Sequence, residues 1–258
     1  MKKIFIALLL LVTTACAVGA VSTKEVLVVG LDDKFAPMGF RDERGEIVGF
    51  DVDLAKETAK RMGVMFEFKA IDWNNKEHEL ESGNIDLIWN ALDITPERKE
   101  HILFSKPYME TRQIILVRKG NTQGIHSEGS LEGKRIGTQT GSSLETYINT
   151  NKAYKNSFAE FKTYDNFNDA FKALDENEVD ALVCDEVLAR YEINKSGDKF
   201  EIIGITVGPF SEIGIGFRKD DVELRDKVQA AFDRVVTDGT AKKISEKWFH
   251  ADLIRFKK

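Results

Sequence analysis

Short apolar runs alternate along the chain with segments that have the features of helices. Residues 26–29 form a short apolar strand, residues 65–68 read as the next strand, and residues 85–89 as a buried strand. Between them, residues 51–62 carry apolar side chains three or four positions apart, and residues 76–82 also look helical. A glycine follows each of these two segments, as is common where helices end. The resulting βαβαβ order predicts a parallel sheet with helices on both faces.

The pattern recurs in the second half of the chain. It predicts a strand at residues 134–138, a helix that opens at Ser142, a helix at 167–174 and a strand at 179–183. The tail, residues 221–249, is predicted to be helical, with one apolar stripe that packs on the core.

Two short segments also match each other. Residues 80–86 and 174–180 both read as helix, tight polar turn and apolar strand. Two lobes of similar topology would explain the match, although any α/β protein repeats this order. Extended segments near residues 111–117 and 205–213 are predicted to connect the lobes.

The N-terminus has the order of a secretory signal. Lys2 and Lys3 precede nine apolar residues at 4–12, and small residues follow to position 20. We expect residues 1–20 to be removed on export; a buried N-terminal helix is the alternative. Cys16 follows an imperfect lipobox, so it could become a lipid anchor, whereas cleavage after residue 20 would leave a soluble protein.

Composition and charge exclude several classes of protein. Hydrophobic residues make up 42% of the 258 residues and charged residues 31%, which argues against a disordered chain and against a polytopic membrane protein. The formal net charge is −6 and the basic residues are scattered, so we expect no nucleic-acid partner.

No catalytic motif stands out. The four histidines lie far apart without metal-ligand spacing, and neither a nucleophile elbow nor a glycine-rich phosphate loop follows a strand. We therefore expect no metal and no cofactor. Cys184, flanked by apolar residues, is predicted to be a buried thiol rather than a nucleophile.

Binding chemistry is better represented, because polar residues follow the predicted strands. Open parallel sheets bind ligands beyond the carboxyl ends of their strands. The candidates at four such ends are Asp32, Asn90 with Ala91, Gln139 to Ser143, and Asp185. If the lobes face each other, these residues converge.

Arg98 is the most specific single candidate. Thr95 and Pro96 predict a helix start, which places Arg98 in the first turn, where a cation opposes the helix dipole. Binding of an anion would explain this position, and an exposed arginine paired with Glu97 or Glu100 is the alternative. The glycine turn at residues 140–143 offers further N–H donors, or is a plain helix cap.

Acidic and aromatic residues complement this cation. Asp185 directly follows an apolar strand, so it either binds a ligand ammonium or caps the next helix. Asp93 follows the strand of the other matched segment, at residues 85–89, and could add its negative charge to that of Asp185. Phe35 and Phe50 lie in polar loops, where their rings either clamp a ligand or anchor the loops to the core.

Several motifs in order resemble the polar amino-acid solute-binding proteins of ABC importers. They occupy residues 49–57, 93–98, 104–108, 214–219 and 238–240. The resemblance covers essentially the whole mature chain. It implies two α/β lobes of type II, each a mainly parallel sheet flanked by helices, joined by two hinge strands and closing on an amino acid. We assign residues 24–110 and 209–258 to the first lobe and 111–208 to the second.

The resemblance also implies roles for the polar candidates. Arg98 would bind the ligand α-carboxylate with help from Ser142 and Ser143, and Asp185 would bind the α-ammonium. Gln139 stands where family members vary with specificity, and Asn90 is a further specificity candidate.

The resemblance further implies that Asp32 would bind the side chain of the ligand, and that the rings of Phe35 and Phe50 would pack on either side of that side chain. The sequence departs from the family pattern at Ala91, where Gly or Ser is usual, and at Asp93, where Ser or Thr is usual.

These observations predict a monomeric extracytoplasmic protein that binds arginine, lysine, ornithine, histidine or glutamine and delivers it to an ABC transporter permease. Asp32 between two rings favours a cationic side chain, and an amide also fits. The alternative is a catalytic derivative of the same fold, similar to a cyclohexadienyl dehydratase, with Asp93 or Glu186 as general acid. A sensory role would need a separate partner.

Overall fold

The computed structural model describes residues 25–197 and 199–255. The predicted signal segment and Cys16 lie outside the described residues. Within the described ranges, no helix is both long enough and apolar enough to span a bilayer.

The described residues form strands and helices in alternation. The strands are β1 (Val26–Leu31), β2 (Lys34–Phe35), β3 (Gly39–Arg41), β4 (Ile47–Val48), β5 (Met65–Ala70), β6 (Leu87–Asp93), β7 (Ile102–Phe104), β8 (Met109–Arg118), β9 (Arg135–Gln139), β10 (Glu160–Tyr164), β11 (Ala181–Asp185) and β12 (Phe200–Arg218). The helices are α1 (Phe50–Met62), α2 (Lys76–Glu81), α3 (Pro96–His101), α4 (Ser143–Thr150), α5 (Lys152–Ser157), α6 (Phe167–Asp175), α7 (Glu186–Ser196), α8 (Val222–Thr237) and α9 (Thr240–Phe249).

The main sheet has the order β10-β9-β11-β8-β12-β6-β1-β5, and β7 also pairs with β12. Pairs within each end of the sheet, such as β1 with β5 and β9 with β10, are parallel. The two central strands β8 and β12 are antiparallel to each other and join the two halves. We call the half with β1, β5, β6 and β7 lobe 1, and the half with β9, β10 and β11 lobe 2. The predicted α/β fold with two lobes and two connecting strands is confirmed.

Most predicted boundaries shift by one or two residues, and two predicted elements differ by more. Strand β6 begins at Leu87 and continues to Asp93, rather than ending at residue 89, because Asn90 and Asp93 are buried within it despite their polarity. The tail is two helices instead of one, since Gly239 adopts a left-handed backbone (φ 80°) that interrupts the helical hydrogen bonds between α8 and α9.

Each lobe has its own apolar packing. Ile136, Leu144 and Ile148 belong to a cluster in lobe 2 between β9 and α4. Leu80, Ile85 and Ile88 belong to another cluster in lobe 1 between α2 and β6. Burial of these faces fixes the strands, and so fixes the strand ends at which the lobes meet.

Candidate functional site

The carboxyl ends of the strands from both lobes surround one small cavity. Lobe 1 contributes Phe35, Trp73, Asn90, Ala91, Asp93 and Arg98, and lobe 2 contributes Gln139, Ser142, Ser143, Phe167 and Asp185. Nine of the eleven residues selected from the sequence therefore lie together. The cavity holds about 20 Å³, room for about one water molecule. An amino acid can enter it only after the lobes separate.

Arg98 lies in the first turn of α3, as predicted. Its backbone N–H donates to Thr95 Oγ1 (3.2 Å), which caps the helix. The side chain is buried, and its guanidinium donates from Nη1 to the Asp93 carbonyl (3.1 Å) and from Nη2 to the Gly141 carbonyl of lobe 2 (3.0 Å). The alternative of an exposed surface arginine is therefore wrong. Arg98 is a cation that already reaches across the cleft.

Asp93 lies beside Arg98 and bonds to the opposite lobe. Ser143 Oγ donates to Asp93 Oδ2 over 2.6 Å, and the same oxygen is 3.7 Å from Arg98 Nη1. Asp93 Oδ1 is buried and, among the described residues, has no hydrogen-bond partner. The side-chain nitrogen of Asn90, Nδ2, is also buried and has no hydrogen-bond partner among the described residues. The other polar atom of that amide, Oδ1, accepts from the Asp32 N–H (3.1 Å). Two unpaired polar atoms of opposite character thus border one cavity.

Asp185 is held by the central strand β8 rather than by the helix that follows it. It stands at the N-terminus of α7, but its side chain does not cap that helix. Instead Oδ1 accepts from Gln113 Nε2 (2.9 Å) and Thr111 Oγ1 (3.2 Å). Burial, and then the charge of Asp93, raise the pKa of Asp185 to about 7, while these two hydrogen bonds oppose the shift. An ammonium beside it would favour its ionised form.

Ser142 and Ser143 share the start of α4 but differ in what they bond. The Ser142 hydroxyl accepts from the Glu145 N–H (3.0 Å) and caps α4, as the alternative reading of the glycine turn proposed. Only the Ser143 hydroxyl bonds across the cleft, through Asp93. Both residues line the cavity, and Ser143 is the one that already donates to a carboxylate.

Asp32 and Gln139 form a further hydrogen bond between the lobes. Gln139 Nε2 donates to Asp32 Oδ2 over 2.7 Å, and Lys34 N–H donates to Asp32 Oδ1 over 2.9 Å. Burial raises the pKa of Asp32 against the pull of these bonds. Asp32 does not itself line the cavity, because the Gln139 amide covers it. A ligand side chain would reach Asp32 only by displacing that amide.

The aromatic residues of the site differ from those selected from the sequence. Phe35 lines the cavity and packs on Phe167 with ring centroids 5.7 Å apart. Phe50 does not line it: the ring is fully buried against Phe249 (4.9 Å), so its predicted clamping role is wrong. Gly49 explains this, because its φ of 145° sets α1 close to the Met38 backbone and turns Phe50 into the core.

Trp73 and Phe167 take the place that the sequence reading gave to Phe50. Each follows the carboxyl end of a parallel strand, β5 or β10, by three residues. These two strand ends were not among the four considered from the sequence. Applying the strand-end rule to β5 and β10 as well would have found both rings.

Lys76 was also missed. Its buried Nζ donates to the carbonyls of Trp73 (3.2 Å) and of Gly141 across the cleft (3.0 Å). Burial, and then the nearby Arg98 charge, lower the pKa of Lys76 to about 8. Gly141 has a left-handed φ of 73°, and a Cβ there would lie 3.0 Å from Asn74 Cα of lobe 1. Only glycine permits this approach of the lobes.

Ala91 is held in an uncommon conformation by a buried acid. Its φ is 46°, and its N–H donates to Asp51 Oδ2 over 2.7 Å. Tyr108 donates its hydroxyl to Asp51 Oδ1, also over 2.7 Å. Burial raises the pKa of Asp51 to about 7 against these hydrogen bonds. The strained backbone at the cavity wall thus depends on a fully buried carboxyl group.

A larger cavity of about 780 Å³ lies between the hinge strands, α7 and the C-terminal segment. Two of the arginines that line it, Arg112 (2.6 Å) and Arg190 (2.5 Å), both pair with Glu186. The smaller cavity is bordered by the unpaired Asn90 Nδ2 and Asp93 Oδ1 and by Asp185 with its raised pKa, so we assign the site there. Within the described ranges, no three histidine, cysteine or acidic side chains gather as metal ligands would.

The chain is similar to known proteins over most of its length. A model of the bacterial extracellular solute-binding proteins, family 3, matches residues 27–251. The L-cystine-binding protein TcyJ of Escherichia coli K12 is 31% identical over 91% of this chain and 86% of its own length.

Two solved structures are similar as well. A substrate-binding protein of an ABC uptake transporter from Streptococcus pneumoniae, with bound histidine, has a TM-score of 0.84 at 34% identity, covering 90% of this chain and 95% of that chain. An ancestral arginine-binding protein, solved with arginine and with glutamine, has a TM-score of 0.81 at 40% identity, covering 88% and 99%.

Proposed function

Because the chain belongs to the bacterial extracellular solute-binding proteins of family 3, we propose that it captures a polar or basic L-amino acid and delivers it to the permease of an ABC importer. The proteins to which it is similar bind cystine, histidine, arginine or glutamine. Their names are those of binding proteins, and we propose that this chain likewise binds its ligand without converting it.

One observation carries the proposal: a buried cation and a partly buried anion border the same cavity from opposite lobes. Arg98 comes from lobe 1 and Asp185 from lobe 2. A zwitterion placed between them would present its carboxylate to Arg98 and Ser143 and its ammonium to Asp185. Each charge-assisted contact contributes roughly 1.5–3 kcal/mol.

Closure about the two central strands would supply the mechanism. We propose that residues 24–110 with 209–258 move as one lobe and residues 111–208 as the other, with β8 and β12 as the hinge. These two strands pair from Phe200 with Arg118 to Ile213 with Met109, and the register shifts at two places between these ends. Such irregularities bend strands, which suits a hinge. A ligand that contacts both lobes stabilises the closed state by its differential affinity.

The side-chain subsite favours a cation or an amide. Asp32 accepts from the Gln139 amide in the closed cleft, so a guanidinium, ammonium or amide of the ligand can replace that donor. Phe35, Trp73 and Phe167 provide aromatic surface around the same cavity, which suits a cationic group. Arginine, lysine, ornithine, histidine and glutamine are therefore the proposed ligands.

A thermal-shift screen of the twenty amino acids, followed by calorimetry, tests the proposal. Ligands that bind the folded state raise the melting temperature. We expect shifts from one or more of the five proposed amino acids and their loss in Arg98→Gln. Tight binding of glutamate with none of arginine or glutamine would remove the proposed ligand class.

The setting of the protein is part of the proposal. We propose that residues 1–20 direct export, and that the protein acts as a monomer in the periplasm or at the outer face of the cytoplasmic membrane. Intact mass of the exported protein distinguishes a diacylated Cys16 from cleavage after residue 20.

A further inference from the structure

We propose that Asp93 takes the place at Arg98 and Ser143 that a ligand carboxylate would occupy, so that the site also binds dicationic amines that have no carboxylate. The class comprises primary amines with a second cationic group, such as agmatine and cadaverine, the decarboxylated forms of arginine and lysine. The inference rests on the proposed function, because it concerns the same cavity.

The side-chain carboxylate of Asp93 lies close to two groups of the site. Its Oδ2 accepts from Ser143 Oγ at 2.6 Å and lies 3.7 Å from Arg98 Nη1. Those are the two groups expected to hold the α-carboxylate of an amino acid. Because two carboxylates so close together repel each other, the ligand carboxylate and Asp93 compete for one place. An amine without a carboxylate leaves Asp93 where it is.

The charges around the cavity fit a dication. Arg98 lies beside Asp93 (3.7 Å), and Lys76 pairs with Glu77 (3.2 Å), so each of these cations already has an anion. Asp32 and Asp185 then remain, and their contacts with protein side chains are to the neutral donors Gln139, Thr111 and Gln113. Two positive charges on the ligand would match these two carboxylates.

The unpaired atoms of the cavity also suit an ammonium. Asp93 Oδ1 is a buried acceptor with no partner among residues 25–197 and 199–255. After burial, the negative charge of Asp93 is the largest cause of the raised pKa of Asp185. An ammonium has three donors, and one placed between the two acids would give Asp93 Oδ1 a partner and relieve the repulsion. The unpaired Asp93 Oδ1 therefore indicates that the site lacks a donor, and this evidence is independent of the balance of charges around the cavity.

Calorimetry on three matched pairs tests the inference: arginine with agmatine, lysine with cadaverine, and ornithine with putrescine. In the wild type we expect at least one amine to bind within tenfold of its amino acid, or more tightly. In Asp93→Ser we expect the ratio of affinities to move by tenfold or more in favour of the amino acid. Asp93→Asn, which keeps the shape of the side chain, should move the ratio in the same direction.

Asp42→Ser is the matched control. It removes the same charge from lobe 1 at an acid that pairs with Arg44 outside the cavity, so the ratio should not move. Amines that all bind more than tenfold more weakly than their amino acids, or a ratio unchanged in both Asp93 variants, would overturn the inference and leave the proposed function intact. Binding of an amine but of none of the twenty amino acids would refute the proposed function and support the inference. Binding of no amine and of none of the twenty amino acids would refute both.

Discussion

Replacement of Asp185 by asparagine removes the proposed ammonium partner with little disturbance of its surroundings. Gln113 Nε2 and Thr111 Oγ1 both donate to the same oxygen of Asp185, so the single carbonyl oxygen of asparagine can accept both bonds. What is lost is the negative charge and the second acceptor. The substitution therefore separates ligand binding from the stability of the hinge.

The expected loss follows from the strength of one charge-assisted hydrogen bond. A contribution of about 1.5–3 kcal/mol corresponds to roughly 10- to 150-fold in the dissociation constant. The pKa of about 7 adds a dependence on pH. Since the acid is protonated below pH 7, roughly one molecule in a hundred carries the anion at pH 5, and the affinity should rise up to about tenfold per pH unit toward pH 7. Above about pH 8 it should level off.

Calorimetry with the ligand found in the screen, at pH 5, 6, 7 and 8, measures both effects. The wild type should gain affinity with pH, and Asp185→Asn should bind weakly with a much flatter profile. Thermal unfolding of the variant without ligand confirms that it folds. An Asp185→Asn variant that binds as tightly as the wild type at pH 8, or one that keeps the full pH profile, would refute this reasoning.

Three further predictions follow from single contacts. Asp32→Asn should weaken the binding of a basic amino acid about 10- to 100-fold and that of glutamine less than threefold, because only the basic ligand loses an ion pair. Equal losses of affinity in calorimetry would contradict the proposed role of Asp32. Phe50→Leu should lower the free energy of unfolding by about 1–3 kcal/mol in urea and leave affinity unchanged, whereas Phe35→Leu should weaken binding; the reverse result would contradict the placement of these rings. Asp51 has a raised pKa of about 7, so its stabilising effect is complete near pH 4 and is lost as pH rises through 7, by at most about 4 kcal/mol. Asp51→Asn should lack this loss, and a difference from the wild type that stays constant between pH 4 and 8 would contradict it.

The strand and helix order could be predicted because each element carries its own local pattern. The apolar run at the start of β1 and the helical spacing in α1 needed no knowledge of distant residues. The end of β6 could not be predicted this way, since Asn90 and Asp93 are polar and become buried only through partners in other elements. Local pattern therefore gives the elements, and contacts between elements decide where they stop.

The site could be predicted where its residues lie at the carboxyl ends of strands, as Gln139 and Asp185 do. Phe50 was assigned wrongly because the loop sequence gives no sign that Gly49 turns the ring into the core. Lys76 was missed because its role depends on the Gly141 carbonyl, 65 residues away in the chain. The pairing of Asp93 with Ser143 likewise depends on the approach of the two lobes, which no local pattern encodes.

The central claim is that one small ligand joins the lobes through its ammonium group at Asp185. A crystal structure of the protein with the ligand found in the screen tests this most directly. We predict the ligand nitrogen within about 2.7–3.2 Å of the Asp185 carboxylate, between β6 and β11. A nitrogen that faces Arg98 instead, or a ligand in the 780 Å³ cavity behind the hinge strands, would contradict the claim.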